Sequence, residues 1–280
     1  MAAVIKVLKD ILKTSSEFLR AVFLNKGIYK YSFSDLWHGA WLLRCGYTRK
    51  VAPEKILDDN DGKFIRVDVG GQQVTVLKDV FKPRELYHLY QETFGGYPGN
   101  PHSYLKGCVA IRPGDVVIDA GACEGFFVKL ALGARCEYVY AFEPLGVLTQ
   151  GLIRTFDGNN RVEILSCGLS DGDGRGKISS DVEYVCETKI NKDGSEEVSL
   201  TTIDAFVKAR GLPRVGFIKM DIEGAEYGIL KNSKAIPKAE RLIIELHGTR
   251  KELPEMSEII ASNMSHVKRV KDSDVYICRK

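Results

Sequence analysis

From about Pro98 to the C-terminus, short apolar runs alternate with longer stretches in which apolar residues recur at helical spacing. The apolar runs at 116–119, 138–142, 162–166, 216–220, 241–246, 266–270 and 275–278 predict seven strands. Amphipathic stretches at 126–132, 145–155, 202–209, 225–230 and 253–263 predict helices between most of them. Alternation of this kind implies a mostly parallel sheet covered on both faces by helices. The link between the last two strands is too short for a parallel crossover, which needs about a dozen residues, so they must pair antiparallel. The polar stretch from Lys189 to Glu197 predicts a loop.

The first 97 residues follow other periods. Val4, Ile5, Val7, Leu8, Ile11, Leu12, Phe18, Leu19, Val22 and Phe23 mark an amphipathic helix whose remaining positions carry Lys6, Lys9, Lys13 and Arg20. A second helix is expected over 34–45, with Trp37 and Trp41 on one face. Residues 63–80 read as a hairpin turning at Gly70-Gly71. The chain thus divides into a helical and hairpin extension over 1–97 and a catalytic domain over 98–280. The extension suits an ordinary packing role, a lid, a homodimer interface or, through its basic helix, a peripheral contact with the inner membrane surface.

Composition narrows the function. The 280 residues are 44% hydrophobic and 28% charged, with a net charge of +3 from 40 basic and 37 acidic side chains. That balance argues against a dedicated nucleic-acid binder. The seven cysteines are scattered and include no C-x-x-C pair, which argues against a zinc ribbon and for a reducing, cytoplasmic setting. No apolar run approaches the roughly 20 residues that span a bilayer.

Five strand ends carry the candidate chemistry. Val116-Val117-Ile118-Asp119-Ala120-Gly121-Ala122-Cys123-Glu124-Gly125 runs from an apolar strand through a glycine turn into a helix. The glycine spacing is not the G-x-G-x-x-G that a dinucleotide pyrophosphate requires. Asp119 suits an ammonium, and the turn amides suit a carboxylate. About twenty residues on, Ala141-Phe142-Glu143-Pro144 puts an acid where ribose hydroxyls are accepted, with Pro144 opening the next helix. Ser170 and Asp171 follow the third strand, within reach of an adenine edge. Asp221, Glu223 and Glu226 crowd the end of the fourth, and His247 ends the fifth. A histidine at the mouth of a site can serve as a general base.

These segments in this order resemble the FkbM family of methyltransferases, over roughly Pro98 to Gly248. The carriers are Ile118-Asp119-Ala120-Gly121-Ala122 with Gly125, Ala141-Phe142-Glu143-Pro144, Leu169-Ser170-Asp171, Thr202-Ile203-Asp204, the run from Ile218 to Glu226, and Ile244-Glu245-Leu246-His247. Cys123-Glu124 departs from the family, which more often has asparagine and a small or apolar residue there. The resemblance implies a Rossmann-like class I methyltransferase fold, S-adenosylmethionine as donor, and O-methylation of a sugar, glycan or related small molecule. By that analogy Asp119, Gly121 and Glu143 bind the cofactor, with Ala122, Gly125, Pro144, Ser170 and Asp171 completing the candidate contacts. Asp221 lies near the transferred methyl. Asp221 or His247 is expected to take the acceptor's proton, with Glu223 orienting; magnesium held by Asp221 and Glu223 is the lesser alternative, and no metal is assigned. The competing readings are a scaffold that kept a cofactor pocket and a nicotinamide oxidoreductase, against which the glycine spacing counts.

Overall fold

The computed structural model describes residues 55–58, 62–79, 83–94, 110–178, 194–270 and 273–280. Residues 54–96 and 100–280 make one compact unit; residues 1–53 with 97–99 make a second, and the helices expected over 1–45 lie outside the described residues. Among the described residues no helix is long and apolar enough to cross a membrane.

Seven strands form the main sheet: β4 (Val116–Ala120), β5 (Tyr138–Phe142), β6 (Val162–Leu165), β10 (Phe217–Met220), β11 (Arg241–Glu245), β12 (His266–Arg269) and β13 (Val275–Arg279). Their spatial order is β12-β13-β11-β10-β4-β5-β6. The five from β6 to β11 run parallel, and β13 inserts antiparallel between β11 and β12. This is the Rossmann-like α/β sheet that the alternation predicts, with its antiparallel C-terminal hairpin.

The central strands are mostly apolar because both faces are covered, with Asp119, Lys219 and Arg241 as their buried charges. Ile118, Ala120, Ile218, Met220, Leu242 and Ile244 pack on one face. Val117, Val139, Ala141, Phe217, Ile243 and Ile277 pack on the other. Each of the valine, leucine, isoleucine, methionine and phenylalanine side chains, fully buried, contributes about 1.5–3 kcal/mol at most. The covering helices are α2 (Phe126–Gly133), α3 (Gly146–Thr155), α4 (Ile203–Ala209), α5 (Glu226–Asn232) and α6 (Glu252–Asn263), each within a residue or two of its expected bounds. Thr202 caps α4 by accepting from the Ala205 amide.

Elements the periodicity did not predict surround this frame. The expected hairpin is β2 (Phe64–Val69) and β3 (Gln72–Leu77), and β1 (Lys55–Asp58) adds a third strand. Helix α1 (Pro83–Phe94) follows it, and Tyr90 and Phe94 pack against Phe126 of α2. The hairpin lies on α3: Thr75 N–H donates to Thr155 Oγ1 at 2.8 Å. A side chain at Gly151 would meet the Thr75 carbonyl at 2.6 Å. A small sheet of β7 (Gly168–Leu169), β8 (Gly174–Ile178) and β9 (Glu196–Thr201) completes the unit. The stretch expected as a loop to Glu197 therefore ends earlier, because Glu196 and Glu197 already pair with Ile178 and Lys177.

The starting edge of the sheet is tied by a buried ion pair. Arg241 of β11 donates to Asp115 Oδ1 at 2.6 Å, and Asp115 Oδ2 accepts the Arg112 amide. Gly216 leaves the space, since a Cβ there would lie 2.4 Å from Asp115 Oδ1. Removing one partner strands the other charge in the interior. Asp115→Ala is expected to lower unfolding free energy by about 3–5 kcal/mol in urea titrations, and adding Arg241→Met to recover a large part of that.

Candidate active site

At the opposite, carboxyl-terminal edge, the strand order reverses between β4 and β10, the place where open α/β sheets bind ligands. A cleft opens there, lined by Gly121, Ala122, Cys123, Phe142, Glu143, Pro144, Lys219, Asp221 and Glu223, with Leu89, Glu92 and Thr93 of α1 along one side.

Gly121 is fixed by two constraints. Its φ is 79°, and a Cβ would lie 1.9 Å from the Asp221 carbonyl oxygen. Gly125 has φ 85°, and a Cβ would strike Phe156 and Leu152. The turn differs from expectation in one respect. The Gly121 and Ala122 amides both donate to the Phe142 carbonyl, Cys123 donates to Glu143 Oε2, and Gly125 donates to the Ala122 carbonyl. These four amides brace the turn, so the expected amide cradle for a carboxylate is not made by them.

Asp119 lies beneath the cleft, fully buried, with neither carboxylate oxygen hydrogen-bonded among the described residues. Its charge partner is Lys219, directly across the β4–β10 ladder, 3.6 Å from Oδ1. Burial pushes the Asp119 carboxyl up and Lys219 pulls it back, leaving it at about 6. The Lys219 ammonium also donates to the Gly121 carbonyl at 2.6 Å and lies 3.8 Å from Asp221. Burial opposes its charge, but Asp119 and Asp221 more than offset that and raise its pKa. The sequence reading gave Lys219 no role. The signal was available: a lysine inside the apolar run Phe217–Met220 has to be paired.

Glu143 ends β5, buried. Its oxygens accept the Cys123 and Leu145 amides at 3.0 Å each, and burial outweighs those bonds to raise its carboxyl to about 7. Pro144 lines the cleft beside it, one residue ahead of the Leu145 cap of α3. Ser170 and Asp171 are not brought to this cleft. They border a separate hollow with Thr202 and Lys234, and Gly168 and Leu169 line the cleft instead.

The acids after β10 are ordered by Glu226. Fully buried, it accepts the Ile222 amide on Oε1 and the Gly224 amide on Oε2. Its Oε1 also lies 3.1 Å from His247 Nδ1. The turn so held presents Glu223, at φ 57°, with Oε2 3.6 Å from His247 Nε2. Asp221 Oδ1 is 4.0 Å from His247 Nδ1. Asp221, Glu223 and His247 thus come together at the rim, from two strand ends. Burial lowers the histidine's pKa, but the Glu226 bond and the charges of Glu226, Glu223 and Asp221 prevail and raise it to about 9. The three carboxylates therefore favour the protonated form of the ring.

Asp119 and Glu143 sit above their ordinary values of 3.8 and 4.5, so the folded chain keeps protons that the unfolded chain has lost. Their contribution to stability is complete below about pH 4 and disappears as pH rises through 6 and 7. Urea unfolding of the ligand-free protein from about pH 4 to 6, below the range in which His247 titrates, is expected to show this decline, and Asp119→Asn with Glu143→Gln to flatten it. An unchanged slope in the double variant would contradict the assignment.

Known proteins resemble the chain around this cleft. The model of the methyltransferase FkbM domain matches residues 119–267, just over half of the chain. The 31-O-demethyl-FK506 methyltransferase FkbM of Streptomyces tacrolimicus is 25% identical over 217 residues, covering 63% of this chain and 80% of that protein. The AMB antimetabolite synthetase AmbE of Pseudomonas aeruginosa is 24% identical over 235 residues, covering 68% of this chain but 11% of that protein. The crystal structure of methyltransferase FkbM from Methylobacillus flagellatus aligns with 70% of this chain at 21% identity and a TM-score of 0.48; the chain spans 50% of its length. The glycine turn, the acid that ends β5 and the acidic turn after β10 all fall within the matched residues, and the chain belongs to the FkbM methyltransferase family.

Proposed function

We propose that this methyltransferase uses S-adenosylmethionine to methylate a hydroxyl of a small molecule, sugar or glycan. The observation that carries the reading is the cleft where the strand order reverses, lined by Gly121, Glu143 and Asp221, with the Asp119–Lys219 pair buried beneath it. When bound, the cofactor supplies a methyl group made electrophilic by its sulfonium. The residues present fit it. Asp119 has buried oxygens without hydrogen-bond partners for an ammonium to approach, directly or through water. Glu143 suits a ribose diol, and the bare Gly121 backbone lets a ligand lie close. The Streptomyces relative's name denotes an O-demethyl compound as its acceptor, which supports oxygen as the nucleophile.

A hydroxyl is a weak nucleophile, and a base within hydrogen-bond reach speeds its attack by about 10²–10⁴-fold. Asp221, lining the cleft, fits that task better than His247, which does not line it and is held by Glu226. Glu223 then orients the acceptor.

Calorimetric titration is expected to show micromolar binding of S-adenosylmethionine, weakened at least 10-fold in Glu143→Ala. Asp221→Asn is expected to keep cofactor affinity within a few fold while S-adenosylhomocysteine formation with hydroxylated acceptors falls by about 10²-fold or more. Binding of NAD with silence toward S-adenosylmethionine would overturn the proposal.

A further inference from the structure

We infer that Asp221, Glu223 and His247 bind one divalent cation, of the magnesium or manganese kind, at the mouth of the cleft. One ligand atom from each residue lies within 4.8 Å of the other two, and the His247 Nε2 to Glu223 Oε2 separation is 3.6 Å. Bonds of about 2.1 Å to a shared cation set neighbouring ligands roughly 3 Å apart. Small rotations of three partly exposed side chains close the set. Two carboxylates favour a hard cation, and one imidazole extends the range from magnesium to manganese.

The arrangement is more than a group of acids on one loop. The imidazole comes from the end of β11, separate in sequence from the acidic turn. A second observation concerns the ring's other side. Glu226 is fully buried, and both its oxygens are held by backbone amides, so it is not available as a ligand. It grips Nδ1 and turns Nε2 toward Glu223, and a cation binds there in exchange for the Nε2 proton. A carboxylate behind the far nitrogen is how proteins orient a metal-ligating histidine and fix its tautomer.

The consequence for the reaction rests on the hydroxyl reading above. A cation here takes the acceptor hydroxyl as a further ligand and lowers its pKa. The oxygen–methyl bond then forms as the carbon–sulfur bond breaks, the electron pair of that bond stays on sulfur, and the hydroxyl proton passes to the Asp221 oxygen that does not face the metal.

The test is titration of the full chain, freed of metal with a chelator, with manganese(II) followed by electron paramagnetic resonance. One manganese per chain is expected at micromolar affinity, lost in Asp221→Asn and in Glu223→Gln and weakened at least 10-fold in His247→Gln. Pulsed measurements on the wild-type protein should show nitrogen coupling from one imidazole, a signature that needs no variant to fold. Absence of saturable binding, absence of the nitrogen coupling, or equal affinity in all three variants would overturn the inference. Turnover of a hydroxyl acceptor in excess chelator would sink the cation and leave the methyl-transfer reading standing. Manganese bound as described without turnover of any hydroxyl acceptor would do the reverse.

Discussion

The Lys219 ammonium sits where the sheet divides, and the cleft is organised around it. In one position it faces Asp119 across the β4–β10 ladder, reaches the Gly121 carbonyl and neighbours Asp221. Three parts of the site are thereby joined to one buried charge: the glycine turn, the deep carboxylate and the first acid of the β10 turn. Burying a cation among anions costs several kcal/mol of desolvation per ion, offset only when geometry and hydrogen bonds are good. The direct bond to a backbone carbonyl supplies part of that offset. It also means that the position of the turn and the charge state of the pocket are not independent quantities.

The two ends of the sheet treat charge differently. At the starting edge Asp115 and Arg241 hold each other, with further bonds to the Arg112 amide and the Gly216 carbonyl that leave only Arg241 Nη1 without a partner among the described residues, an arrangement that fixes structure. At the finishing edge the carboxylates are gathered close together, several of them raised or lacking hydrogen-bond partners. Incompletely satisfied groups at strand ends are where ligand chemistry is found in folds of this class.

The main sheet was legible in the chain because its strands are buried on both faces. Runs such as Phe217–Met220 and Arg241–Glu245 leave little room for another assignment, and the short 271–274 link dictates the final antiparallel pair. The acidic turn after β10 was legible as a site from its density of carboxylates. The role of Glu226 as the brace for that turn was not, since it depends on two amides and a histidine from another strand. Helix α1 is legible too, since Leu86, Leu89, Tyr90 and Phe94 recur at helical spacing behind Pro83 and form its packed face, although the reading by strand and helix alternation from Pro98 onward leaves it out. The small sheet was masked by Asp171-Gly172-Asp173-Gly174, which spells a turn while the next residues form a largely exposed strand. Ser170 and Asp171 looked like cofactor contacts by their distance along the chain, yet the backbone carries them past the cleft to another hollow.

The contact between Gly151 and the Thr75 carbonyl has a mechanical meaning. Backbone rests almost directly on backbone, with no side chain between them to flex and absorb displacement. Helix α3, which starts beside Glu143 at the cleft, is therefore coupled stiffly to the β2–β3 hairpin. Opening the Glu143 side of the cleft therefore has to carry the hairpin along with the helix, and residues that line no part of the cleft share in its stiffness.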